Sequence, residues 1–227
     1  MPGDASVQIV IIGVGGSARI ALDIIEDCID AGREYKVLGF IVDAGYGLPG
    51  TIINGKPILG DFDWLARHSS EVHAICAVGD PVVRKRLIGR ATECGARFAT
   101  ICHPSVILSR RATLGNGCLI GAGGILTTNV RIADHVHLYV GCSVGHDSTI
   151  DSFAELAMGV RVSGNAKVGE GCFVGTGASI IEKRTIGEWS IVGAGAVVIA
   201  DVPAYSVAVG VPAKVIRARK LEDPIFS

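Results

Sequence analysis

From Leu108 to Val198 an aliphatic residue recurs at every sixth position without a miss. The frame runs Leu108, Leu114, Ile120, Leu126, Ile132, Leu138, Val144, Ile150, Leu156, Val162, Val168, Val174, Ile180, Ile186, Val192 and Val198. An α-helix repeats about every 3.6 residues and cannot carry a strict period of six. Helical solenoids need repeats of about 30 residues or more. A short fixed period points to stacked strands, each turn of chain resting on the one before.

Two companion frames refine this reading. Two positions before each aliphatic residue the chain is mostly compact, as at Ala112, Cys118, Gly124, Cys142, Ser148, Ala154, Ala166, Cys172, Ala178, Ser190 and Ala196. Glycine often follows the aliphatic residue, as at Gly115, Gly121, Gly145, Gly169, Gly175, Gly187 and Gly193. Each unit then reads as one short strand and one corner. The aliphatic and compact side chains point into a narrow interior, and glycine is expected to supply backbone angles that a Cβ resists. Three successive units close one triangular coil, so the frame holds a little over five coils with no long inserted loop.

The first hundred residues follow another pattern. Val7–Ile12, Val37–Val42, His73–Val78 and Arg97–Ile101 read as strands, and the stretch around Ile20–Ile25, Phe62–Arg67 and Pro81–Cys94 read as helices. Ile53–Ile58 reads as a turn region. Strands alternating with helices give an open parallel sheet, a half-sized Rossmann-like α/β domain. The pattern changes near His103-Pro104-Ser105, which divides the chain into 1–103, a solenoid of 104–202 and a C-terminal cap or tail of 203–227.

Composition excludes several function classes. The formal net charge is −1, without the basic excess of a nucleic-acid-binding surface. No apolar run is long enough to span a bilayer and no leader opens the chain, so no membrane insertion is expected. The seven cysteines form no C-x-x-C pair and read as reduced thiols of a cytoplasmic protein.

Two places carry candidate chemistry. Gly13-Val14-Gly15-Gly16-Ser17-Ala18 fits G-x-G-x-x-A between a strand and a helix, where backbone amides can take a phosphate. Asp43 and Gly79 end the second and third strands, the rim where open sheets bind ligands. A nucleotide-bearing ligand fits this better than a complete dehydrogenase site. In the solenoid, His146-Asp147 follows Val144-Gly145 at or just after a corner. An imidazole there can take a proton, with the carboxylate holding its tautomer. His135 and His137 compete for that role, or suggest a zinc site, though their intervals (137 − 135 = 2, 146 − 137 = 9) are not a coil length. Gly210-Val211-Pro212-Ala213-Lys214 breaks the period. It reads as a cap, as an edge where Lys214, Arg217 or Arg219 meets phosphate, or as both.

These residues together resemble one family. The strand into Gly13-Val14-Gly15-Gly16, Val42-Asp43, Val78-Gly79-Asp80, His103-Pro104-Ser105, Gly145-His146-Asp147, the sixfold repeat and Gly210-Val211-Pro212-Ala213-Lys214 are similar to the sialic acid O-acetyltransferase / nucleotide-sugar N-acetyltransferase family of bacterial surface-glycan pathways. The resemblance implies a left-handed parallel β-helix, an exception to right-handed crossovers. It implies a homotrimer with active sites between subunits, acetyl-CoA as co-substrate and no metal. It assigns His146 as catalytic base and Asp147 as its support. It turns Gly15, Gly16, Ser17, Asp43, Ala44 and Gly79 toward the nucleotide-linked amino sugar, and Glu155, Thr176 and Ala194 toward acetyl-CoA, the last two through backbone atoms. Ser17, Ala44 and Glu155 depart from residues common in relatives. Transfer to a sugar amine is the first expectation. The alternatives are transfer to a sugar or serine hydroxyl, and a trimeric nucleotide-binding scaffold without catalysis.

Overall fold

The computed structural model describes residues 6–43, 45–222 and 225. The chain forms two compact units, Met1–Gly79 with Val83–Pro104 and Asp80–Val82 with Ser105–Ser227.

In the first unit a six-stranded sheet has the order β3-β4-β2-β1-β5-β6. Its strands are β1 (Val7–Ile12), β2 (Tyr35–Ile41), β3 (Ile52–Ile53), β4 (Lys56–Gly60), β5 (His73–Cys76) and β6 (Arg97–Phe98). β1 is central and pairs in parallel with β2 and β5. Ile9, Val10, Ile11 and Ile12 are all but inaccessible to solvent. Such an unbroken apolar run is what a strand needs when the sheet is covered on both faces. The helices are α1 (Gly16–Asp30), α2 (Phe62–His68) and α3 (Pro81–Glu93). α1 buries Ala18, Ala21, Leu22, Ile25 and Cys28, an i, i+3, i+4 stripe. Asp61 caps α2 by accepting from the amides of Asp63 and Trp64.

One element differs from expectation. Where the sequence suggests a turn region, β3 and β4 form an antiparallel hairpin, and β4 joins the main sheet beside β2. Asn54 and Gly55 take φ of 46° and 77°, the left-handed angles of a two-residue hairpin turn. Between Ile52-Ile53 and Lys56-Pro57 that pair is a hairpin signal, which a reading of the whole stretch as a turn overlooks.

In the second unit the sixfold frame becomes three parallel ladders. Leu108, Leu126, Val144, Val162, Ile180 and Val198 stack on the first face, each three units on from the last. The second face stacks Leu114 through Ile186, and the third stacks Ile120 through Val192. From Ile120 onward every aliphatic position is buried, whereas Leu108 in the first coil is 43% exposed. Each fully buried aliphatic side chain contributes about 1.5–3 kcal/mol as an upper estimate. The compact frame is buried beside it, with Cys118, Cys142, Ser148, Ala154, Cys172, Ala178, Ser190 and Ala196 at 0%.

The glycines act differently from the expectation. Those that follow the aliphatic residue do not have positive φ. They are small because the next coil lies against them: a Cβ on Gly145 would meet the amide of Gly164 at 2.6 Å, and one on Gly175 that of Ala194 at 2.5 Å. The left-handed residue is two positions further on. It is Gly117, Gly123, Asn129, His135, Gly141, Asp147, Phe153, Gly159, Asn165, Gly171, Gly177, Lys183, Trp189 and Gly195, with φ between 54° and 73°.

After Val198 the coil shortens: Val202 bridges Ile186, and Ala208 pairs with Val192, two positions short of a full coil. The strand Ser206–Val209 thus extends the third face, and Lys214–Ala218 folds back antiparallel along it. The segment expected as a cap therefore begins as a shortened coil.

Candidate functional site

The coil presents three edges of unlike chemistry. Between the third and first faces the left-handed residue is glycine each time: Gly123, Gly141, Gly159, Gly177 and Gly195. A Cβ on Gly159, Gly177 or Gly195 would meet nothing within 4 Å. Thr176 and Ala194 lie on this bare edge, exposed, with Val140 and Met158 in the same row. The carbonyl of Thr176 accepts from the amide of Gly195 at 2.8 Å, which ties successive coils.

Between the first and second faces the corners carry side chains: Thr128-Asn129, His146-Asp147, Gly164-Asn165 and Glu182-Lys183. His146 Nδ1 lies 2.8 Å from Asp147 Oδ2. A carboxylate only accepts, so Nδ1 carries the proton and Nε2 presents its lone pair. Both side chains are about half exposed. Asn129 Nδ2 donates to Asp147 Oδ1 at 2.8 Å. The bonds from Asn129 and then His146 hold the Asp147 carboxyl below its ordinary value, so it stays ionised. The imidazole lies over Gly164, where a Cβ would come 2.5 Å from Nε2 and 2.6 Å from Cε1. Beneath the corner the buried Ser148 hydroxyl donates to Ser163 O at 2.9 Å and accepts from the Ala166 amide at 3.1 Å.

The other histidines have different surroundings. His135 is 9% exposed and stacks on Phe153 with centroids 5.5 Å apart. His137 is fully buried, 3.8 Å from Glu155, which is itself 3% exposed. Both rings are buried, whereas the His146 side chain is half exposed. Glu155 stands on the face leading to the glycine edge but is packed against His137. Lys214 is exposed on the returning C-terminal strand. Burial pushes the thiols of Cys118 and Cys142 up to about 11 and that of Cys172 to about 12. Among the described residues no three His, Cys, Asp or Glu side chains cluster as a metal site. No described helix is long and apolar enough to cross a membrane.

In the first unit the chain order reverses between β1 and β5, and the crevice lies beyond their carboxyl ends. Gly13 needs to be glycine twice over: φ is 111°, and a Cβ would meet Val78 Cγ2 at 3.0 Å and Ala77 O at 3.1 Å. Gly15 is the N-cap of α1 and Gly16 its first residue, both exposed with open space above. The first turn of α1 holds no acidic residue, so its amides and dipole can receive an anion. Ser17 and Gly79 are half-buried near the same rim. Ala44 lies outside the described residues. Asp43 lies two residues beyond the end of β2 and pairs with Arg90 at 2.6 Å, while the Arg90 guanidinium rests on the Phe62 ring, 4.1 Å from its centroid.

The structure thus adds Asn129, Gly164 and Arg90 to the residues read from sequence. Asn129 and Gly164 carry a signal, since one coil's step back from Asp147 or forward from His146 lands on each. Arg90 carries no such signal, because only the folded chain brings its guanidinium to Asp43 and the Phe62 ring.

Comparison with known proteins places both units. Residues 8–91 match the PglD N-terminal domain family, and residues 165–200 match the bacterial transferase hexapeptide family of six repeats. GDP-perosamine N-acetyltransferase of Escherichia coli O157:H7 is 27% identical over 172 residues, 75% of this chain and 76% of that protein. A perosamine N-acetyltransferase from Caulobacter crescentus, solved with CoA and GDP-perosamine, is 30% identical with a TM-score of 0.85, covering 92% of this chain and 97% of that one. The acetyltransferase domain of PglB from Neisseria gonorrhoeae, solved with acetyl coenzyme A, is 26% identical with a TM-score of 0.83, covering 92% and 98%.

Proposed function

Since this chain belongs to the nucleotide-sugar N-acetyltransferase family of left-handed parallel β-helix enzymes, we propose that it acetylates the amine of a nucleotide-linked amino sugar with acetyl-CoA. The observation that carries this reading is the half-exposed imidazole of His146, its Nδ1 held by Asp147 at 2.8 Å.

In this reaction the sugar amine adds to the thioester carbonyl as His146 Nε2 takes the amine proton. The C–S bond then breaks, leaving an amide and CoA, with the proton passed from the imidazole to the departing sulfur. Asp147 stabilises the imidazolium between the two steps. Gly164 leaves bare backbone beneath the ring, where a corner amide can donate to the oxyanion. The buried, high-pKa thiols give no support to a covalent acetyl-cysteine.

The sugar nucleotide's phosphates fit the open amides at Gly15, Gly16 and Ser17, with Asp43 and Gly79 along the same rim; Ala44 remains part of this assignment from its place in the sequence. The pantetheine arm is long and thin, and the glycine edge beside Thr176 and Ala194 is where such a chain can lie on backbone. Lys214 suits a CoA phosphate by charge. Glu155 contributes to the CoA site from a buried position, by shaping the adjoining face.

His146 and the glycine edge occupy different corners of one coil. A site that needs both draws one of them from a neighbouring subunit. The face between these corners exposes Ile107 and Ile125, and the corner just past its strands exposes Ile181 and Ile199, which fits packing of copies around it in a trimer. We place the enzyme in the cytoplasm, in bacterial surface-glycan synthesis.

The test is acetyl-CoA consumption across UDP-, GDP- and dTDP-linked amino sugars, with mass detection of the product. N-acetylated sugar nucleotide is expected. Turnover only with sugar or serine hydroxyls would replace this reading with O-acetylation, and no turnover would favour a binding scaffold.

A further inference from the structure

We propose that Asn129 is a positioning residue of the reaction, acting on His146 through Asp147. This rests on the assignment of His146 as base. Asn129 and Asp147 occupy the same corner one coil apart, with φ of 60° and 58°. Equal backbone angles in stacked coils send the two side chains the same way, one above the other. Asn129 Nδ2 consequently meets Asp147 Oδ1 at 2.8 Å while Oδ2 serves His146 Nδ1 at 2.8 Å.

The division of the two oxygens matters because the site is exposed. A carboxylate half in water, held by one imidazole, is a weak partner that rotates freely, and such surface pairs are worth little. The second bond fixes rotation about the carboxylate's Cβ–Cγ bond. It thereby fixes the plane in which Nδ1 is met and the direction in which Nε2 points. The Asn129 amide is itself oriented, since its oxygen lies 3.5 Å from the Thr128 hydroxyl and its nitrogen faces the carboxylate. The depressed Asp147 carboxyl, whose first cause is Asn129, agrees with this arrangement.

The corner conformation supplies a clean probe. Glycine adopts positive φ without cost, so Asn129→Gly removes the amide and keeps the fold. The first readout needs no substrate: an NMR pH titration of the His146 ring in the full chain, its signals identified by their loss in His146→Gln. With Asn129→Gly the midpoint is expected to fall by a few tenths of a pH unit, because the imidazolium loses a well-placed carboxylate. The second readout is turnover of whichever sugar nucleotide the acetyl-CoA assay reveals. There kcat is expected to fall about tenfold with KM unchanged. In an Asp147→Asn background the same change should have no further effect on either quantity. A wild-type midpoint in Asn129→Gly, or an effect undiminished when Asp147 is already replaced, would overturn the proposal. Full activity of His146→Ala would instead sink the base assignment, a separate result.

Discussion

Two edges of the solenoid share one backbone and differ in almost everything else. Gly141, Gly159 and Gly177 repeat the left-handed corner of Asn129, Asp147 and Asn165 with similar φ. On the first edge glycine leaves the main chain bare. On the second the same geometry projects side chains in register, so Asn129, Asp147 and His146 form a hydrogen-bonded line. The stack makes the corner conformation obligatory, and the residue type at the corner then decides between bare backbone and a row of side chains. Left-handed angles are strained for most residues, but asparagine and aspartate tolerate them well. The edge that carries His146 uses these two types at Asn129, Asp147 and Asn165.

His146→Ala separates the two edges most widely. If the chemical edge supplies the base, kcat should fall about 10²–10⁴-fold in a steady-state assay, with little change in KM for acetyl-CoA. Gly164→Ala tests the same edge without touching a polar group. Its Cβ would overlap the imidazole at 2.5 Å and turn the ring aside. We expect kcat to drop by about 10²-fold while CoA binding by calorimetry holds.

The bare edge should answer in the other parameter. Gly177→Ala places a methyl at φ 69° with nothing behind it. Stability is expected to fall by about 1 kcal/mol from backbone strain. KM for acetyl-CoA should rise about tenfold with kcat kept, since the methyl would stand where we propose that the pantetheine arm lies. A kcat loss without a KM rise would erase the distinction between the edges.

A weaker contrast concerns pH. Asp147 has a depressed carboxyl in the folded chain, so its contribution to stability is present above the ordinary value of 3.8 and lost as pH falls through the lower folded value. The Tm difference between wild type and Asp147→Asn should therefore be small at neutral pH and vanish in acid below that window. A difference that grows on acidification would contradict the sign.

Much of the solenoid is legible in the chain because its repeat is short and its interior narrow. Every aliphatic side chain must rest on the one three units earlier, so the ladders follow from counting. The role of glycine departs from expectation for a physical reason. Frequency marks the positions where the next coil crowds the chain, whereas the left-handed position tolerates asparagine, aspartate, histidine, phenylalanine, lysine and tryptophan. It therefore has no single compositional mark. In the first unit the strand–glycine loop–helix order is plain, but the hairpin at Asn54-Gly55 is hidden in a stretch too short to show alternation.

His146 shows the same division. The order of residues alone requires a histidine and an aspartate to stand together after Val144-Gly145, because a strict period admits one location for them. It also puts His135 and His137 off the coil spacing. Which ring is usable is a matter of packing, since burial depends on what lies against each face. His137 is enclosed beside Glu155, and His146 stands open above Gly164. The bond from Asn129 likewise exists only in the folded chain, where stacking brings residues a full coil apart to within 2.8 Å.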